Sequence, residues 1–118
     1  MHDQDLCPIE FTLGVVGKKW TLLILRELFA GKKRFTEIAA TLPISSKLLT
    51  DRLKELEEQG VVTRTLYPEI PPRVEYTLTE SGKTLKSVLE ALRDWGAEHQ
   101  KKQDIKCPGV YPSAAKTD

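Results

Sequence analysis

The stretch Ile44-Ser-Ser-Lys-Leu-Leu-Thr-Asp-Arg-Leu-Lys-Glu-Leu-Glu-Glu-Gln-Gly60 decides the fold of this chain. Its leucines recur at the spacing of one helix face, at Leu49, Leu53 and Leu56. Ser45 or Ser46 can cap the start of a helix, and Gly60 suits a left-handed exit at its end. The stretch therefore predicts an amphipathic helix with a defined beginning and end.

A shorter apolar pattern precedes this helix and is closed by Pro43. Its members are Phe35, Ile38, Ala39 and Leu42. Two helices joined by so tight a turn indicate a helix-turn-helix, in which the second helix enters the major groove of DNA.

The exposed face of the second helix carries side chains that can reach base edges. They are Ser45, Ser46, Lys47, Thr50 and Asp51. Lys54, one turn further along, adds positive charge to the same helix. The alternative for all of them is a solvated helix face. Asp51 could accept a hydrogen bond from a cytosine amino group, or it could only orient Lys47 or Arg52.

A β-hairpin is predicted directly after the helix. Val61 to Tyr67 is rich in β-forming residues, and Arg73 to Leu78 alternates apolar and polar positions. Pro68 to Pro72 is a stiff connection that cannot join a central ladder. A helix-turn-helix followed by a hairpin is the order of a winged helix, whose wing lies along the DNA backbone.

Several basic residues near the predicted wing are candidates for phosphate contact. Arg64 and Arg73 lie in the hairpin, and phosphate contact is favoured for Arg73, which is next to the wing tip. The alternative is that both pair with Glu69 or Glu75. Arg34 ends a basic run for which phosphate contact and simple solvation are equally supported.

Three further helices flank this core motif. The first spans Ile9 to Val16, the second Lys18 to Ala30, and the last begins at Thr79 as N-cap and ends near His99. The second helix is apolar almost all round, which predicts burial. The last helix has an apolar stripe that a lone winged-helix domain would have little need to bury. We therefore expect dimerisation, with contacts from Phe11, Trp20, Leu85, Leu89, Leu92 and Trp95.

Three segments together resemble the HxlR-type winged-helix transcriptional regulators, which are relatives of the MarR type. They are CPIEFTLGVVGKKWTLLIL from Cys7, the run from Gly31 to Leu85, which contains YPEIPPRVEYTLTESG, and LRDWG ending at Gly96. The resemblance implies a homodimeric bacterial or archaeal DNA-binding regulator. A symmetric dimer of this kind predicts a pseudo-palindromic operator on double-stranded DNA.

Cys7 and Cys107 are the two cysteines. Cys7 precedes a proline at a helix start, where the helix dipole favours a thiolate, but a free cysteine is equally often a small packed residue. The resemblance implies sensing, because several HxlR-type regulators use a cysteine at this Cys-Pro position to detect oxidants or electrophiles. Cys107 could reach Cys7 of the other chain or remain an unpaired thiol.

Composition bounds the remaining possibilities. A chain of 118 residues is one domain, and we expect a loose N-terminus at 1–6, the winged-helix domain at 7–100 and a disordered polar tail at 101–118. The net charge of +1 is low for a DNA-binding protein, so the distribution of charge must provide the binding face. No catalytic motif, metal-ligand spacing, cofactor loop or membrane span is present, which predicts a cytoplasmic protein that is not an enzyme.

The sequence thus predicts a mostly α, α+β fold: a winged helix-turn-helix with N- and C-terminal dimerisation helices. The predicted function is that of a dimeric, sequence-specific transcriptional regulator with Cys7 as candidate redox or electrophile sensor. Two alternatives remain open. One is a regulator gated by a small molecule in a pocket between the dimerisation helices, and the other is a winged helix that binds proteins instead of DNA.

Overall fold

The structure, a computed structural model, describes residues 7–103. The elements in chain order are α1 (Pro8–Val16), α2 (Thr21–Phe29), β1 (Lys33–Arg34), α3 (Phe35–Thr41), α4 (Ser46–Glu58), β2 (Val62–Tyr67), β3 (Arg73–Leu78), α5 (Glu80–Lys83) and α6 (Lys86–Gln103). A helix-turn-helix followed by a hairpin is the winged-helix order, so the predicted fold class is confirmed. The predicted loose N-terminus at 1–6 lies outside the described residues. So does the tail predicted at 101–118, except for residues 101–103, which belong to the last helix.

Helix α4 begins and ends where the sequence predicts. The Oγ atom of Ser45 accepts a hydrogen bond of 3.1 Å from the backbone N–H of Leu48, which makes Ser45 the N-cap. At the other end Gly60 has a φ of 75°. The backbone N–H groups of Gly60 and Val61 return to the carbonyls of Glu57 and Leu56 at 3.1 and 2.9 Å. This pair of bonds is a Schellman motif, which satisfies carbonyls at the helix end.

The core lies where α2, α3 and α4 meet the sheet. Its fully buried large side chains are Ile24, Leu25, Ile38, Leu49, Leu53 and Leu56. The three α4 leucines are the predicted stripe, which is therefore confirmed. Each buried leucine or isoleucine stabilises the fold by about 1.5–3 kcal/mol relative to exposure, so this cluster anchors α4 and turns its polar face outward.

The sheet has three antiparallel strands in the order β1-β3-β2. Strands β2 and β3 pair from Val62 opposite Leu78 to Tyr67 opposite Arg73. The five residues between the two strands form the tip of the wing. Strand β1 is too short to leave a sequence pattern and was not predicted; it pairs with the centre of β3.

The start of α2 and the course of the last helix, which runs to Gln103 instead of ending near His99, differ most from the prediction. Helix α2 begins at Thr21 instead of Lys18, because Trp20 has a left-handed backbone with a φ of 81° and cannot continue a helix. The predicted last helix is interrupted at residues 84–85, which separates α5 from α6. The chain divides after Lys83 into two compact units, so α6 belongs to the second unit.

In the second unit, the structure describes helix α6. The ring of Trp95 stacks there on the ring of His99, with ring centroids 4.0 Å apart. Within residues 7–103, no helix is both long enough and apolar enough to span a membrane.

Candidate nucleic-acid interface

The first turn of α4 presents a row of exposed polar side chains. Ser45, Ser46, Lys47 and Thr50 are all exposed. The Thr50 hydroxyl donates to the Ser46 carbonyl at 2.8 Å. Its oxygen lone pairs and its methyl group therefore remain free to accept from a base or to contact a thymine methyl group.

Asp51 lies beside Lys47 one helical turn away. Its Oδ2 atom is 3.5 Å from the Lys47 Nζ atom, and the Lys47 side chain is 86 % exposed. A pair this exposed contributes little stability. Its effect is to direct the lysine, so the geometry favours the orienting role for Asp51 over a direct contact with cytosine.

Arg52 points away from this exposed row and pairs within the helix. Its Nη1 atom donates to Glu55 Oε1 at 3.0 Å, and its side chain is only 18 % exposed. The other oxygen of Glu55 accepts from Lys18 Nζ at 2.9 Å. The hydrogen bond from Lys18 is the main cause that lowers the pKa of Glu55, and the charges of Arg52 and Lys18 act in the same direction against partial burial.

Arg73 is already paired in the wing. Its Nη2 atom lies 3.2 Å from Glu69 Oε2, and its Nε atom lies 3.2 Å from Glu75 Oε2. Its guanidinium group also lies over the Tyr67 ring, 4.1 Å from the centroid. Two carboxylates thus already neutralise the charge of Arg73. This arrangement is the alternative to phosphate contact that the sequence left open for Arg73.

Arg64 and Lys54 differ from Arg73 in this respect. Both side chains are exposed, and within residues 7–103 neither makes an ion pair with a carboxylate. Arg34 is exposed at the start of α3, where its backbone N–H donates to Glu37 Oε1 at 2.7 Å. These three cations are free to meet phosphate oxygens.

Cys7 is the N-cap of α1 and is exposed. Its Sγ atom accepts from the Glu10 backbone N–H at 3.4 Å, and Glu10 Oε1 accepts from the Cys7 backbone N–H at 3.1 Å. This reciprocal pair is a capping box. The thiol is therefore not a packed core residue within its own chain. Cys107 lies outside the described residues.

The predicted dimer contacts fall into two groups. Phe11 on α1 and Leu92 and Trp95 on α6 are 48 %, 50 % and 66 % exposed, respectively. The half-buried candidates are Trp20, Leu85 and Leu89. Helix α1 also exposes Ile9 and Leu13, which the sequence analysis did not single out. Both helices thus present apolar side chains to solvent in the single chain.

Sequence reasoning missed two long-range contacts on α4. One is the Lys18–Glu55 pair, whose members are 37 positions apart, and the other joins Gln59 to the backbone carbonyl of Gly14 across 45 positions. Neither pair has a periodic or spacing signal, because each is created only when α1 folds against the end of α4.

The comparisons with known proteins agree with this architecture. The HxlR-like helix-turn-helix family matches residues 15–104. The HTH-type transcriptional regulator YdeP of Bacillus subtilis is 44 % identical over 103 residues, which are 86 % of this chain and 80 % of YdeP.

Two solved structures are similar in both sequence and fold. The redox regulator HypR in its oxidized form is 44 % identical with a TM-score of 0.74, over 78 % of this chain and 96 % of HypR. The reduced form of the transcriptional regulator YodB from B. subtilis is 44 % identical with a TM-score of 0.69, over 79 % of this chain and 93 % of YodB. YodB is also known in a diamide-treated form. A match over most of the chain, together with the winged-helix architecture, shows that this protein belongs to the HxlR-like helix-turn-helix family.

Proposed function

We propose that this protein is a homodimeric, sequence-specific transcriptional regulator that binds a pseudo-palindromic operator in double-stranded DNA. The observation that carries the proposal is the exposed polar row at the start of α4, which is held outward by a fully buried leucine stripe. A helix presented in this way fits the major groove.

The contacts divide by chemistry. We propose that Ser45, Ser46, Lys47 and Thr50 read base edges and that Asp51 orients Lys47. Lys54, Arg64 and Arg34 are the proposed phosphate contacts, because their charges are not taken up by carboxylates within the described chain. Arg73 is the weaker candidate, since binding phosphate would first break its contacts with Glu69 and Glu75.

The distribution of charge reconciles DNA binding with a net charge of +1. Glu57 and Glu58 lie at the far end of α4, exposed and away from the polar row. Phosphate contact depends on the local field near the binding face more than on the sum over the chain.

A second copy of the chain is the proposed cover for the exposed apolar side chains of α1 and α6. Large exposed apolar surface rimmed by polar residues marks an interaction site. A two-fold dimer would present two copies of α4 to successive major grooves, about 34 Å apart along the DNA.

Cys7 is the proposed point of control. It is exposed and capped at the start of α1, one of the two proposed dimer helices, and relatives of this chain include proteins named as redox regulators. Oxidation at this thiol would change the placement of α1 and so the separation of the two α4 helices. We further propose a cytoplasmic location, consistent with a reduced resting thiol.

The proposal is tested by selecting duplex DNA from a random-sequence pool at fixed salt. We expect an inverted repeat to be enriched, and its affinity to fall steeply as salt rises because bound phosphates release counterions. A winged helix that binds only proteins would enrich no sequence. A folded protein without salt-sensitive affinity for duplex DNA would contradict the proposed function.

A further inference from the structure

Two polar contacts join the second half of α4 to α1 and to the linker that follows it, residues 17–20. Lys18 Nζ in the linker lies 2.9 Å from Glu55 Oε2. Gln59 Nε2 donates to the Gly14 carbonyl in the last turn of α1 at 3.3 Å. We call Lys18, Glu55 and Gln59, with the Gly14 carbonyl, the α1–α4 latch.

One latch contact satisfies a carbonyl at a helix end, and the other adds a second cation to a carboxylate that already has one. The Gly14 carbonyl belongs to the last turn of α1, whose carbonyls lack intrahelical donors. The Glu55 carboxylate receives Lys18 on one oxygen and Arg52 on the other. Donors arriving from two different segments leave this carboxylate little freedom of orientation.

Among the described residues 7–103, helix α1 buries little of its own surface. Val16 is its one buried residue. Its large apolar residues Ile9, Phe11 and Leu13 are exposed. The position of α1 on its own chain therefore depends on the latch more than it would if α1 were buried along its length.

The linker approaches the end of α1 closely and has an unusual backbone at its own end. A Cβ atom at Gly17 would collide with the backbone carbonyl of Leu13. Trp20 has a positive φ of 81°, which is a genuine outlier for a bulky side chain. A strained backbone of this kind persists only where the surrounding structure holds it in place.

We propose that Lys18, Glu55 and Gln59 are positioning residues that fix the direction of α4 relative to α1. If α1 is shared by the dimer, the latch sets the separation of the two reading helices and therefore the half-site spacing of the operator. This inference rests on the proposed function but makes a separate claim. The bases read within a half-site depend on the start of α4, whereas the spacing accepted between half-sites depends on the latch at its end.

The test compares operators that differ only in spacing. The selected operator is prepared with its spacer shortened by one base pair, unchanged, and lengthened by one base pair. Affinities at fixed salt are measured for the wild type and for Lys18→Gln, Glu55→Gln and Gln59→Ala. Glu58→Gln is the matched control, since Glu58 is an exposed carboxylate on the same helix that makes no ion pair among residues 7–103.

We expect the discrimination of the three latch variants between spacings to fall about 3- to 10-fold below that of the wild type, toward the lower end of the couplings between contacting residues. Base preference within each half-site should not change, and Glu58→Gln should behave as wild type. Lys18→Arg keeps the cation and should therefore retain the spacing preference. If the effect of Lys18→Gln came from a nonspecific loss of stability, a retained charge would not restore the preference. Thermal unfolding of each variant identifies any that fail to fold. Only the spacing preferences of the folded variants are then compared with that of the wild type.

The two ways of failing are distinguishable. Wild-type spacing discrimination in all folded latch variants would overturn the latch while leaving DNA binding intact. A wild type that selects no operator would overturn the proposed function, and the latch with it.

Discussion

At the scale of single residues, the structure of α4 distinguishes polar side chains that are available to a partner from polar side chains that are already ion-paired. Lys47 and Thr50 are exposed and available, whereas Arg52 on the same helix is committed to Glu55. The difference follows from where each residue lies around the helix relative to the buried leucines.

Lys47→Ala and Thr50→Ala should each weaken operator binding without unfolding the protein. If either makes a good base-edge contact, the loss should be about 1–3 kcal/mol and should relax specificity at one base pair. Gel-shift titration at fixed salt measures it, with Glu58→Ala as control. Unchanged affinity in both variants would place the reading surface elsewhere.

The lowered pKa of Glu55 makes a prediction about acid stability. A carboxylate whose pKa is lower in the folded than in the unfolded state stabilises the fold above its unfolded pKa. That contribution is lost as the pH falls through the lower folded pKa. Because Glu55 is partly exposed, the contribution should not exceed about 1 kcal/mol.

The check is denaturant unfolding of the wild type, Glu55→Gln and the control Glu58→Gln. At neutral pH the wild type should be slightly more stable than Glu55→Gln, and the difference should vanish in acid below the ordinary glutamate range. A difference that stays constant or grows on acidification would show that Glu55 does not act through its charge.

At the scale of elements, α6 supplies the clearest test of the dimer. Leu92→Asp places a charge in the exposed apolar face, where burial against a second copy would be costly without a partner. We expect dissociation into monomers by light scattering. Ala97→Asp lies on the other side of the same helix and should leave the dimer intact. A stable dimer of Leu92→Asp would show that this face is not the interface.

The elements also show which signals a sequence carries. The limits of α4 were predictable because Ser45 and Gly60 have local chemistry that marks a helix start and stop. The start of α2 was not, because a tryptophan is an unusual residue for a left-handed backbone. The break at residues 84–85 carries neither glycine nor proline. Glu69 and Glu75 lie near Arg73 in the sequence, so their pairing with Arg73 was an open alternative that only the side-chain geometry could decide.

At the scale of the whole molecule, the proposed thiol control makes a prediction about the dimer. Diamide treatment should change operator affinity of the wild type by roughly fivefold or more, a typical coupling between sites. Cys7→Ser should bind the operator and lose the response. If the oxidised product is a disulfide between Cys7 of one chain and Cys107 of the other, a non-reducing gel should show a dimer band that is absent in Cys7→Ser and in Cys107→Ser.

The reduced wild type is the reference for this comparison, and reversal by a reducing agent is its internal control. An equal response in Cys7→Ser would assign the sensing to another group. No response in the wild type would contradict control through the thiol while leaving operator recognition untouched.

The two tryptophans give this molecule a built-in optical readout. Trp20 lies in the linker, two residues after the latch lysine Lys18, and Trp95 lies on α6 in the second unit, stacked on His99. In Trp95→Phe, tryptophan emission would come from the linker alone, and in Trp20→Phe from α6 alone. Each unit thus carries its own tryptophan, so a change near the linker and a change near α6 can be followed separately in solution without attaching a dye.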